Sequence, residues 1–173
     1  MIEPVAITKT IESPVGRLSI NEAGGAVVRI AWVEDPAGDP AGDLGARPGE
    51  TPLLTRAAEQ LDQYFAGERR DFDLPLAPSG TPFQRRVWTE MARIPFGATA
   101  SYGTLARKTG SVARAISGAC GANPIPIVIP CHRVVAEGGA LGGFSGGAGV
   151  ETKIALLELE GVTRREPDLF GGA

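Results

Sequence analysis

The sharpest chemistry in this 173-residue chain sits at Cys131-His132, where a thiol adjoins the only histidine. A thiol acts as a nucleophile through its thiolate, and an imidazole, a helix N-terminus or a cation brings its pKa down from about 8.5. On a continuing strand, neighbouring side chains point to opposite faces. Cooperation between the two therefore requires the backbone to turn at Pro130, or the ring to act through a water. Taken alone, the pair fits better a small buried residue beside a satisfied imidazole than a reactive site. A metal centre is not expected: Cys120, Cys131 and His132 offer three soft ligands without paired short spacings, and no second histidine completes a catalytic set. In a reducing compartment the two cysteines remain thiols.

The elements that must position this pair can be read outward from it. Ile125-Pro-Ile-Val-Ile-Pro130 is apolar and reads as an extended run ending on Cys131. Upstream, Thr81-Pro-Phe-Gln84 has the form of a capping box, followed by an apolar stripe of Phe83, Val87, Trp88 and Met91. Ser101 starts a short helix over Tyr102 to Lys108, Gly110 breaks it, and Ser111 is expected to cap another from Val112 to about Cys120. Two short helices joined by a tight glycine turn suit a helix-turn-helix. The second is built of small residues apart from Arg114 and Ile116, so it can approach another surface closely. Arg114 then either projects into that surface or sits at the rim of a helix-helix contact. Beyond the thiol, the glycine-rich stretch from Gly138 to Gly149 reads as a mobile loop or a plain linker.

The N-terminal part has a different pattern. Ile7–Ile11, Leu18–Ile20 and Val27–Trp32 read as short antiparallel strands, and Leu54, Ala57, Ala58, Leu61, Tyr64 and Phe65 recur at helical spacing until Gly67. That helix is expected to cover the small sheet. Residues 35–50, rich in Asp, Gly, Pro and Ala, read as an exposed loop. Pro75 to Gly80 marks a boundary, giving domains of 1–77 and 78–173. The fold class is thus mixed α/β: a small antiparallel sheet with a covering helix, then a mainly helical domain.

The formal net charge of −3 conceals a division: residues 1–79 sum to −6 and residues 80–173 to +3. Between 81 and 135 the basic residues are Arg85, Arg86, Arg93, Arg107, Lys108, Arg114 and Arg133, opposed only by Glu90. Such a stretch attracts a phosphate backbone or forms a solvated helix face. No apolar run approaches the roughly 18 residues of a membrane span, and Met1-Ile-Glu-Pro-Val lacks the basic start of a secretion signal. The expectation is a cytoplasmic protein.

Pro130-Cys-His-Arg-Val-Val135, preceded by Asn123-Pro124 and followed by Gly143-Phe-Ser-Gly-Gly147, resembles the O6-alkylguanine-DNA alkyltransferases, with compatible spacing from about Thr81 to Gly161. The resemblance implies a ribonuclease-like α/β N-terminal domain and a C-terminal helix-turn-helix of winged-helix type. It implies a monomer that needs no cofactor and moves alkyl groups irreversibly from O6-alkylguanine, and from O4-alkylthymine as a further substrate, onto Cys131. By the same resemblance His132 deprotonates the thiol through water, Glu160 orients His132, and Asn123 braces the adjoining turn. Tyr102 hydrogen-bonds the departing guanine. Arg114 enters duplex DNA and fills the space of the extruded base, on a helix of residues 112–120 lying in the minor groove, with Ser111, Ala113, Tyr102 and Arg133 as further DNA contacts. Val134, Phe144, Ser145 and Lys153 line the base pocket. Phe144 stands where some relatives have Tyr, and residues 147–152 look about two residues longer than usual, leaving Glu158 as the rival of Glu160.

Overall fold

The structure is a computed structural model that describes residues 5–33 and 46–162. It divides into two compact units at Ser79/Gly80. The expected loop at residues 35–50 lies outside the described residues except for its last five positions.

The first unit is a four-stranded sheet under one helix. Strands β1 (Ile7–Ile11), β2 (Leu18–Ala23), β3 (Ala26–Trp32) and β4 (Arg47–Pro48) lie in the order β3-β2-β1-β4. The β2–β3 hairpin closes through Gly24 and Gly25, both at positive φ (60° and 82°), the conformation a two-residue turn of the right twist demands. Leu18, Ile20 and Ile30 are buried, as are Leu54, Leu61 and Tyr64 of α1 (Pro52–Phe65), and α1 packs on the three long strands. Thr51 caps α1 by accepting from the Leu54 amide at 3.0 Å. One expectation needs correcting. The sheet is not wholly antiparallel, because Arg47 and Gly49 donate to the Ala6 and Thr8 carbonyls and make β4 a parallel neighbour of β1.

The second unit is mainly helical. In α2 (Pro82–Ala92) both halves of the capping box form: Gln84 N donates to Thr81 Oγ1 at 3.1 Å, and Thr81 N donates to Gln84 Oε1 at 3.0 Å. The stripe behind it buries Val87, Trp88 and Met91, and Trp88 Nε1 donates to the Ala119 carbonyl at 2.8 Å, tying α2 to the end of α4 (Ala113–Gly121). Helices α3 (Tyr102–Thr109) and α4 pack on each other and on α2 as a helix-turn-helix. Ser111 does not cap α4. Its amide donates to the Ala106 carbonyl at 2.8 Å, completing the turn that left-handed Gly110 (φ 67°) makes at the end of α3, and Val112 takes the N-cap position without a side-chain bond.

The run 125–130 is not extended either. Ile129 N returns to the Ile125 carbonyl at 2.9 Å, and Ile127 has φ 74°, unusual for a β-branched residue. A compact turn, followed by a 3₁₀ turn at Cys131–Arg133, delivers the chain to β6 (Val134–Val135). Strand β6 pairs in parallel with β5 (Ala100–Ser101), so the thiol segment lies beside the start of α3. Helix α5 (Val150–Leu159) completes the unit.

Candidate active site

The turn before the thiol is held by Asn123. Its Nδ2 donates to the Ile129 carbonyl at 2.8 Å and its Oδ1 accepts from Ile125 N at 3.0 Å, so one amide spans the loop between α4 and Cys131. The 3₁₀ turn that follows Pro130 supplies a bend, one of the two routes the sequence left open, and Cys131, His132 and Arg133 are all buried.

Glu160, immediately after α5, joins two of these residues. His132 Nε2 lies 2.6 Å from Glu160 Oε2, while Arg133 Nε and Nη2 reach the two carboxylate oxygens at 2.8 and 3.1 Å. A carboxylate engaged by a guanidinium on both oxygens is an acceptor, so Nε2 carries the histidine proton. Burial pushes the His132 pKa below its usual value, against the pull of Glu160, and the ring is neutral. Nδ1 is then the basic nitrogen. It is buried and makes no hydrogen bond to protein among the described residues. Glu158 is exposed, so the geometry selects Glu160 as the histidine's partner.

Burial also raises the Cys131 thiol pKa, opposed by a hydrogen bond from Asn123, the Lys153 charge, and the amides of Cys131 and His132. The resting group is therefore a thiol, and a base must remove its proton. Lys153 is completely buried; its ammonium donates to the carbonyls of Val134 (2.7 Å) and Gly143 (3.2 Å) and lies 5.9 Å from the centre of the Tyr102 ring. Burial lowers its pKa to about 8, with the two cysteines opposing. At neutral pH it is a cation placed to favour a thiolate at Cys131. Tyr102 is pushed up to about 12, by burial first and then by both thiols, so its hydroxyl remains a donor.

Other expected residues separate into two groups. Val134 is buried beside the thiol turn, Phe144 is half-buried and Ser145 exposed. On α4, Ala113 and Arg114 are exposed, while Ser111 is half-buried. Arg133 does not belong with the DNA-facing residues. Its guanidinium is buried, donates to the Ile94 carbonyl at 2.7 Å as well as to Glu160, and lies 5.9 Å from the centre of the Phe96 ring. The sequence alone makes it a surface charge because charge counts carry no burial. Cys120, which the sequence weighs only in a metal set that it rejects, interacts electrostatically with Cys131, Lys153 and Tyr102, and burial raises its pKa to about 12. A thiol at the end of an otherwise small-residue helix is its only signal.

A buried thiol adjoining a buried histidine-carboxylate pair, in one unit with a helix-turn-helix, defines a cysteine-dependent protein that carries an element of the kind that reads DNA. The family model for the 6-O-methylguanine DNA methyltransferase DNA-binding domain matches residues 82–162, and that for the ribonuclease-like domain of the same proteins matches residues 7–78. The constitutive methylated-DNA–protein-cysteine methyltransferase of Bacillus subtilis is 39% identical over 160 residues, covering 91% of this chain and 96% of the relative. The Mycobacterium bovis methylated-DNA–protein-cysteine methyltransferase is 41% identical over 154 residues, covering 88% and 90%. Among solved structures, Mycobacterium tuberculosis O6-methylguanine methyltransferase superposes with a TM-score of 0.79 at 38% identity, covering 96% of this chain and 99% of that one. Mycobacterium tuberculosis OGT in complex with DNA gives 0.78 at 39% identity, covering 94% and 98%. The chain belongs to the O6-alkylguanine-DNA alkyltransferase family.

Proposed function

We propose that this protein repairs DNA by transferring the alkyl group of O6-alkylguanine, with O4-alkylthymine as a second substrate, onto Cys131, once per molecule. The observation that carries the reading is the buried His132–Glu160 pair, next in the chain to the buried Cys131 thiol. In this scheme His132 Nδ1 takes the thiol proton through a water, and the imidazolium is stabilised by Glu160. The Cys131 thiolate attacks the alkyl carbon, a C–S bond forms, and the C–O6 bond breaks with its electron pair passing to the guanine. Tyr102 donates a hydrogen bond to the departing base, and Lys153 favours the thiolate before attack. The product is a thioether with no ready leaving route, so turnover stops at one.

O6 lies inside a stacked duplex, so the nucleotide must be rotated out, and a side chain that fills its place slows its return. Arg114, exposed on a helix of small residues, suits that task, with α4 in the minor groove and Ser111 and Ala113 against the backbone. Val134, Phe144, Ser145 and Lys153 form the pocket walls. The protein acts as a monomer in the cytoplasm, and no helix among the described residues is long and apolar enough to cross a membrane.

Mass spectrometry after incubation with O6-methylguanine duplex tests the reading. The expected result is a gain of one methyl group on the Cys131 peptide and none in Cys131→Ala. Tight binding without a mass gain would identify a damage-binding protein instead.

A further inference from the structure

The segment between the thiol turn and α5 holds five glycines at positive φ, Gly138, Gly139, Gly142, Gly147 and Gly149, so its backbone has many alternatives to the conformation it adopts. Three contacts select that conformation at its near end. Ala136 N and the Ala140 carbonyl pinch the turn at 2.8 Å, Gly143 O accepts from buried Lys153, and Gly142 packs on Tyr102 so closely that a Cβ there would lie 2.9 Å from the phenol oxygen.

A fourth contact comes from a residue that the transfer scheme does not use. Glu137 is exposed, yet its Oε1 accepts from the Ser101 hydroxyl at 2.9 Å. The same Ser101 oxygen caps α3 by accepting from Thr104 N at 3.0 Å. The carboxylate also fills the notch at Gly103, where a Cβ would lie 2.0 Å from Glu137 Oε1. A side chain at Gly103, the second position of α3, would have to displace this carboxylate, and a carboxylate at a helix N-terminus is favoured by the exposed amides there.

We infer that Glu137 is a positioning residue for alkyl transfer: held by Ser101 and nested against Gly103, it clasps residues 136–143 to the first turn of α3. The clasp sets the Gly142–Gly143 stretch against Tyr102 and Lys153, and so shapes the wall that the departing base must meet. This rests on the alkyl-transfer reading above, although the clasp itself can be measured without any chemistry.

The test uses the full chain as wild type, Glu137→Ala, Glu137→Gln and Gly103→Ala. Hydrogen exchange of residues 138–143 reads the clasp, and single-turnover transfer from O6-methylguanine duplex and from the free modified base reads its consequence. Glu137→Ala should raise exchange in that segment about tenfold and slow transfer about tenfold on both substrates. Glu137→Gln keeps an oxygen for Ser101 and should stay within about threefold of wild type. Gly103→Ala ordinarily favours a helix, so a loss matching that of Glu137→Ala reads the displaced carboxylate. Unchanged exchange in Glu137→Ala, raised exchange with wild-type transfer, or a Gln variant no better than Ala would each overturn the proposal. A wild-type protein that fails to transfer counts against the alkyl-transfer reading and leaves the exchange result to decide the clasp.

Discussion

At the scale of single residues, Glu160 joins activity to stability, because it orients the base and neutralises a buried guanidinium. Glu160→Gln should cost about 3–5 kcal/mol in chemical denaturation, since Arg133 would be left with a buried charge and no counter-ion. Transfer should fall about 100-fold even at temperatures where the variant is fully folded; a variant that kept its rate would remove Glu160 from the relay. The pH profile is a separate check. With its pKa lowered by burial, His132 still holds the neutral form at pH 6.5, so the acid limb of the single-turnover rate on free modified base should have its midpoint below 6.5. A midpoint at or above that value would mean the imidazole is not the base. Residue type and order single out Cys131 and His132 as a candidate pair, and only the family resemblance adds a carboxylate at the end of the chain's last helix. The choice between Glu160 and Glu158 cannot be read from either, because it depends on which of them the end of α5 turns inward. Arg133 escapes a sequence reading for the same reason.

At the scale of elements, local rules anticipate the structure where the signal is itself local. The capping box of α2, the cap of α3 at Ser101 and the stop at Gly110 are set by neighbouring residues, and each forms as the sequence suggests. The run 125–130 misleads because alternating Ile and Pro satisfy a strand's composition, whereas its turn is imposed by Asn123 bonding across six residues. Ile127 measures what that turn costs. A left-handed β-branched residue carries roughly 1–2 kcal/mol of strain, yet removing a buried isoleucine side chain costs about 2–5 kcal/mol. Ile127→Gly should therefore lower stability by about 2 kcal/mol in urea titration, despite relieving the backbone. A variant more stable than wild type would show that the strain outweighs the packing of the side chain. For α4, Arg114→Ala should slow transfer from duplex DNA far more than reaction with the free base. Equal losses on both would refute its role in holding the vacated base position.

For the whole molecule, the excess of negative charge in the first unit keeps the total at −3, while DNA is met by the second. The sequence has seven basic residues between 81 and 135, but burial and pairing reduce the number that can neutralise phosphates. Arg133 is buried with Glu160, and Arg93 is paired with Glu90 at 2.7 Å. Arg85, Arg86, Arg107, Lys108 and Arg114 remain exposed. Each phosphate contact releases counterions and contributes about −0.9 to the slope of log K against log salt, so the five exposed residues of this stretch contribute about −4.5. Fluorescence anisotropy with unmodified duplex, run from low to physiological salt, should give a slope no steeper than this. Arg107→Gln and Lys108→Gln should each make it shallower by at most about one unit, with Arg93→Gln changing it least. A slope of about −5.4 would show that Arg93 leaves Glu90 on binding. A slope near zero would show that this face does not meet the phosphate backbone, and α4 could then not be the element that reads the duplex.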